Sequence, residues 1–398
     1  MTVTPPRLEI DRIIDDRRTR IIVCCGSGGV GKTTTAAAIG LRAAERGRQV
    51  CVLTVDPARR LAQSMGLTSL DNTPRRIEGV ALDSGGSLHA MMLDMKRTFD
   101  EIVEAHSDPA RAAQILANPF YQSLSSSFAG TQEYMAMEKL GQLRRSDEWD
   151  LIVVDTPPSR SALDFLDAPE RLGRFLDGRL IRVLTAPVKA GRPFGKVLNA
   201  GFSVMTGALT RVLGGQLLRD AQTFITAFDT MFGGFRERAD ATYRLLQAPG
   251  TAFLVVAAPE QDALREAAYF VERLGAERMP LAGLILNRVH VTPASGLSAA
   301  RALAAAETLE AATQEALSRA EPAQDDEGTS PGQPGTMLAV AALRLHAERV
   351  TLGEREQRVA AAFTSAHPAV PVVEIPALPE DVHDLEGLRR LAALPVSR

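Results

Sequence analysis

The chain alternates short apolar runs with longer stretches of mixed character. Ile21–Cys25, Val50–Val55, Leu88–Leu93, Leu151–Val154, Phe253–Ala257, Leu281–Leu286 and Val370–Ile375 are rich in β-branched residues and read as strands. Several are apolar at every position, not every second one, which is the pattern of a strand covered on both faces. Helical patterns such as Thr34–Arg46 and Gln261–Leu274 lie between them and suit right-handed crossovers. The alternation predicts an α/β fold: a doubly wound, mostly parallel sheet.

Two stretches break the alternation. Residues 169–247 hold no convincing strand but carry Phe202, Met205, Phe228, Met231, Phe232 and Phe235 among helical patterns and paired glycines. They read as an inserted helical subdomain whose apolar side chains form either its own core or an adaptable surface for a partner. After His290, an Ala-rich helix at Gly296–Ala320 and a helix at Met337–Gln357 bracket EPAQDDEGTSPGQPG, an acidic, flexible loop near 321–335. The expected division is residues 1–168 as the N-terminal half, 169–247 as the insert and 248–398 as the C-terminal half.

Composition narrows the function classes. The 398 residues are 45% hydrophobic, enough for a sizeable core, and 45 Lys and Arg balance 48 Asp and Glu. Neither end is a basic tail, so no nucleic-acid partner is expected. Cys24, Cys25 and Cys51 lie in or beside apolar strands, form no C-x-x-C pair, and read as core residues of a reducing compartment. The N-terminus lacks the apolar stretch of a secretory signal, and no segment is long and apolar enough to span a bilayer. The expectation is a soluble, cytoplasmic protein, with peripheral membrane association left open.

The strongest chemical signal is IIVCCGSGGVGKTTT, where a G-x-x-x-x-G-K-[ST] pattern runs from Gly26 to Thr33 after a strand and before a helix. Glycines let successive amides face phosphate oxygens without an intervening Cβ, and the following helix adds its dipole. Gly28, Gly29, Val30 and Gly31 would line the phosphates, Lys32 would neutralise the β- and γ-phosphates, Thr33 would ligate Mg2+, and Thr34 would reach the α-phosphate. The chain thus reads as a P-loop NTPase.

WDLIVVDTPP ends a strand in Asp155, a carboxylate placed to hold Mg2+ through a water. The loop Thr156–Leu163 would then act as a switch beside the γ-phosphate. In VCVLTVDPARRLAQSMG, Asp56 lies at the end of the strand that follows the P-loop helix. It is a candidate for orienting or deprotonating the attacking water, and equally a helix N-cap before Pro57.

Beyond these motifs, the chain resembles the arsenical-pump and tail-anchored-protein-targeting ATPases of the ArsA type. GSGGVGKTTT, DPARRLAQSMG and DTPPSRSALDFLDAP resemble that family's P-loop, first switch and second switch, AGTQEYMAMEKL resembles its segment before the metal-binding strand, and LVVAAPEQDALREAAYFVERL, LILNRV and EIPALPEDVHDLEGLRRL resemble its C-terminal half. The resemblance implies ATP and Mg2+ as cofactors and Asn287 as the adenine reader, with Pro379 and Asp381 in a loop that closes over the base. Taken alone, Asn287 would be only a turn residue after a strand. The segment lacks an N-K-x-D guanine reader, so ATP is favoured over GTP. The resemblance further implies a homodimer, or a heterodimer with a paralogous ATPase, whose nucleotide state gates a helical subdomain for a hydrophobic protein segment or a membrane protein. A MinD-like or low-turnover regulatory switch is the alternative.

The sequence departs from the family at Ser27, where a lysine usually reaches the partner's phosphates. That leaves slow turnover, a partner that supplies the cation, or replacement by Arg59, Arg60 or Arg160. Without cysteines beyond residue 51, neither a zinc staple nor a metalloid site is expected.

Overall fold

The computed structural model describes residues 5–56, 60–80, 84–119, 121–122, 131–157, 237–292, 294, 296–319 and 333–393. In chain order the strands are β1 (Ile21–Cys25), β2 (Gln49–Thr54), β3 (Arg75–Arg76), β4 (Ser87–Met92), β5 (Leu151–Asp155), β6 (Thr251–Ala257), β7 (Leu281–Val289) and β8 (Val372–Pro376). They form one eight-stranded sheet in the order β3-β4-β2-β5-β1-β6-β7-β8. Only β3 runs antiparallel, at an edge blunted by the exposed Arg75 and Arg76. The doubly wound, mostly parallel sheet expected from the sequence is therefore present.

The helices are α1 (Ile10–Asp15), α2 (Lys32–Glu45), α3 (Arg60–Ser64), α4 (Met95–His106), α5 (Pro109–Leu116), α6 (Thr131–Ser146), α7 (Gln261–Ala276), α8 (Ala299–Arg319), α9 (Gln333–Ala366) and α10 (Leu385–Ala393). Two cores follow from strand alternation. Ile21, Val23 and Cys25 of β1 point to the face covered by α4, α6 and α7, whereas Ile22 and Cys24 point to the face covered by α1, α2 and α10. Because both faces are sealed, β1, β5 and β6 are buried at every residue.

Several boundaries differ from the expected ones. β8 starts at Val372 and not Val370, because Pro371 has no N–H to give the ladder and Val370 instead closes a turn on His367. β7 runs on to Val289, since a register shift between Leu286 and Val289 lets it rejoin β8 past the expected end. The helix expected to stop at Gln357 continues to Ala366, as no breaker intervenes before Pro368. Helices α4 and α5 lie between β4 and β5; Asp94 and Asp108 cap them by accepting the N–H groups of Arg97 and Arg111 at 2.9 and 3.0 Å.

Of the predicted insert, residues 237–247 form a helix. The stretch 169–236, with its Phe and Met residues, and the acidic loop over 321–332 lie outside the described residues. No helix among the described residues is long and apolar enough to cross a membrane.

Candidate functional site

With every strand but β3 parallel, the C-terminal ends of β1, β2, β5, β6, β7 and β8 share one edge of the sheet. β1 sits between β5 and β6, where the winding reverses direction, so a crevice opens there. The residues from Gly26 to Thr33 fill that position.

The loop needs glycine for steric reasons. Gly26 has φ 148° and a Cβ there would collide with the Val256 carbonyl. Gly31, the residue before α2, has φ 89°, and a Cβ would strike Asn287 Nδ2. Gly28 and Gly29 are exposed and Val30 is buried. Among the described residues, none of the backbone N–H groups from Gly28 to Gly31 donates a hydrogen bond, which suits a nest for anionic oxygens.

Lys32 opens α2 and is buried, with its Nζ donating to the Ser27 carbonyl at 2.7 Å. Burial lowers its pKa, opposed chiefly by the charge of Asp155. The side chain thus arches back over its own loop. Ser27 is buried too, and its hydroxyl finds no hydrogen-bond partner. Thr34 follows Thr33 in the first turn of α2, half-buried.

At the end of β5, Asp155 Oδ2 accepts two hydrogen bonds of 2.8 Å, from Thr33 Oγ1 and Thr54 Oγ1. Its other oxygen, Oδ1, is buried and has no hydrogen-bond partner. Burial pushes the Asp155 pKa up to about 6, against the two threonine bonds and Lys32, while nearby Asp56 pushes it further up. Asp56 is itself buried, and its backbone N–H donates to Thr54 Oγ1 at 3.2 Å. A buried carboxylate oxygen without a donor, a threonine hydroxyl and a second carboxylate close together fit a hard divalent cation with retained waters, as Mg2+ prefers. Thr156 continues the strand end by donating from Oγ1 to the Cys24 carbonyl at 2.9 Å. The three thiols are buried, and desolvation raises the pKa of each, Cys25 and Cys51 to about 12, which keeps them protonated.

From the other side, Asn287 reaches the loop from β7. Its Nδ2 donates to the Val30 carbonyl at 2.9 Å, and Asn287 is buried. Arg288, which no sequence motif singles out, has φ 63° and donates from Nη1 to the Gly29 carbonyl at 3.0 Å. Thr54 is absent from the sequence-predicted set as well, although a threonine two residues before Asp56 at a strand end is a usable signal. Pro379 and Asp381 lie exposed between β8 and α10, without a hydrogen bond to the phosphate loop among the described residues. Of the three candidate arginines, Arg60 opens α3 and is exposed, while Arg59 and Arg160 lie outside the described residues, as do residues 158–163 of the switch loop. A cavity of about 330 Å3 lies beside α2, with Thr35, Ile39 and Ile375 in its wall, but it contains none of the phosphate-loop residues.

A family model described as anion-transporting ATPase matches residues 19–318, three quarters of the chain and all of this site except the segment after β8. The chain belongs to the anion-transporting ATPase (ArsA-type) family. Among curated proteins, it is 31% identical over 172 residues to an ATPase GET3 of Malassezia globosa, covering 43% of this chain and 48% of that protein. It is 24% identical over 288 residues to an ATPase get3 of Pyrenophora tritici-repentis (70% and 76%), and 24% identical over 282 residues to an ATPase GET3 of Ajellomyces dermatitidis, with the same shares. Membership in the ArsA-type family accords with a P-loop fold and with ATP as the class of ligand.

Proposed function

We propose that this chain binds ATP with Mg2+ at Gly26–Thr34 and hydrolyses it, and that its nucleotide state gates a helical part that engages a hydrophobic protein segment or a membrane partner. The observation that carries the ATPase reading is the Thr33–Asp155–Thr54 arrangement, which holds a buried carboxylate beside the loop with one oxygen uncommitted.

In this reading the Gly28–Gly31 amides and Lys32 bind and orient the triphosphate, and Thr34 contacts the α-phosphate. Thr33 and Asp155, the latter through a water, would hold Mg2+, which supplies charge neutralisation at the β- and γ-oxygens. Asp56 accepts the proton of the attacking water or fixes its direction. Asn287, Pro379 and Asp381 form the base side of the site. The chain works as a homodimer or with a paralogous ATPase, in the cytoplasm or peripherally at a membrane.

The test is ATP turnover by the purified chain, alone and with a paralogue, alongside its native mass with and without ATP. Mg2+-dependent turnover that Asp56→Asn lowers about a hundredfold supports the reading. Binding without turnover in every combination favours the second reading, an ATP-binding switch that acts through partners. The feature that favours that alternative is Ser27, whose buried hydroxyl offers no cation to a facing subunit.

A further inference from the structure

We propose that Asn287 and Arg288 form a clamp that sets the shape of the phosphate loop, so that both act as positioning residues for the phosphates. The clamp deepens the ATPase reading and rests on Gly26–Thr34 being a phosphate site.

In a trans peptide the carbonyl and the following N–H point in opposite directions, and the described chain contains no cis bonds. The Gly29 carbonyl therefore shares a plane with the Val30 N–H, and the Val30 carbonyl with the Gly31 N–H. Arg288 Nη1 holds the first carbonyl at 3.0 Å and Asn287 Nδ2 holds the second at 2.9 Å. With both carbonyls fixed on the β7 side, the two amides are aimed the other way, together. Without the clamp, a loop this rich in glycine would sample many orientations and would lose entropy on binding phosphate.

The clamp is itself braced. The register shift between Leu286 and Val289 is a bulge, and Arg288 occupies it in the left-handed region, where a residue with a Cβ is strained. Downstream, the Glu356 carboxylate accepts from the His290 N–H at 2.8 Å and meets its Nδ1 at 2.7 Å, tying the bulge to α9. The Ala377 N–H donates to the Val289 carbonyl at 2.9 Å, tying it to the chain after β8. Asn287 Nδ2 is also pressed against Gly31, as the forbidden Cβ there shows. The bond to Val30 engages Nδ2 alone, so the clamp is compatible with a base contact through Oδ1.

The experiment measures binding of ATP, GTP and inorganic tripolyphosphate, each with Mg2+, by calorimetry on the full chain. Arg288→Gly removes the guanidinium but relieves the backbone, so its melting temperature should hold or rise while all three ligands weaken by about tenfold, as expected for one lost charge-assisted hydrogen bond. Arg288→Lys, which keeps a cationic donor, should recover part of that loss. Asn287→Ala should weaken all three ligands, tripolyphosphate included. If Asn287→Ala weakens ATP but leaves tripolyphosphate unchanged, Asn287 is a base reader and the clamp is wrong. Unchanged affinities in Arg288→Gly overturn it equally. A wild-type chain that binds neither ATP nor tripolyphosphate fails earlier, sinking the phosphate-site reading and the clamp together.

Discussion

On the β5 side of the phosphate loop, side chains bond to side chains: Thr33 and Thr54 both donate to Asp155, with Asp56 and Lys32 close enough to alter its titration. On the β7 side, side chains bond to backbone: Asn287 takes the Val30 carbonyl and Arg288 the Gly29 carbonyl. The first side concentrates charge in a buried place, where it is costly unless a ligand uses it. The second commits hydrogen bonds to geometry. The contrast says where substitutions should alter chemistry and where they should alter shape.

The largest effect is expected at Lys32, which belongs to the loop yet acts by charge. Lys32→Ala removes a buried cation and the partner of the Ser27 carbonyl. With the β- and γ-phosphates both deprived of that cation, ATP affinity should fall about a thousandfold by calorimetry. A loss that small salt additions or a neutral isostere repair would break the distinction, because it would make the loop's shape, not its charge, the main contributor. Next comes Asp56→Asn, which keeps size and polarity but cannot take a proton. Turnover should drop about a hundredfold while ATP affinity stays within a factor of about two. A matching loss of affinity would assign Asp56 to binding.

Asp155→Asn should separate stability from function on the charged side. The folded-state pKa of about 6 lies above the ordinary 3.8, so folding favours the protonated carboxyl. In metal-free buffer this lowers stability progressively as pH rises from 3.8 to about 6, after which the penalty stays constant. The amide removes that slope and should stabilise the ligand-free chain at pH 8 by about 2 kcal/mol in urea denaturation. It should also abolish the Mg2+ dependence of nucleotide binding. A destabilised variant would mean that the two threonine bonds outweigh the buried charge.

The two sides also differ in how legible they are in the sequence. The glycine pattern, Lys32, Thr33, Asp56 and Asp155 stand out because the proposed phosphate and Mg2+ chemistry would dictate residue type at fixed distances from a strand end, and the parallel sheet collects those ends on one edge. The full burial of β1, β5 and β6 is readable for a related reason: runs apolar at every position have nowhere to go but a sheet covered on both faces. Arg288 is not readable, because its role depends on a bulge and a left-handed backbone that no residue pattern announces. Nor is Arg48, fully buried and donating to the carbonyls of Ile14, Thr19 and Asp150, since an isolated arginine before a strand looks like any surface cation. The ends of β7, β8 and α9 depart from expectation where a bulge, a proline and a missing breaker override periodicity.

The smallest expected effect tests whether the shape-setting side touches the loop sterically as well as through hydrogen bonds. Gly31→Ala faces two penalties: a left-handed φ of 89°, and a Cβ that would strike Asn287 Nδ2. The first belongs to the backbone and persists in any background, at about 1 kcal/mol. The second vanishes if residue 287 is shortened. In a double-mutant cycle of Gly31→Ala with Asn287→Ala, the pair should therefore cost less than the sum of the singles, with a coupling of about 1 kcal/mol in unfolding free energy. Gly26→Ala supplies the control, because its Cβ would meet the Val256 carbonyl, a backbone atom of β6 that Asn287 does not hold in place. It should show no coupling to Asn287→Ala. If the two glycines behave alike, Asn287 does not press on the loop, and β7 would be linked to the loop through the hydrogen bonds of Asn287 to Val30 and Arg288 to Gly29 alone.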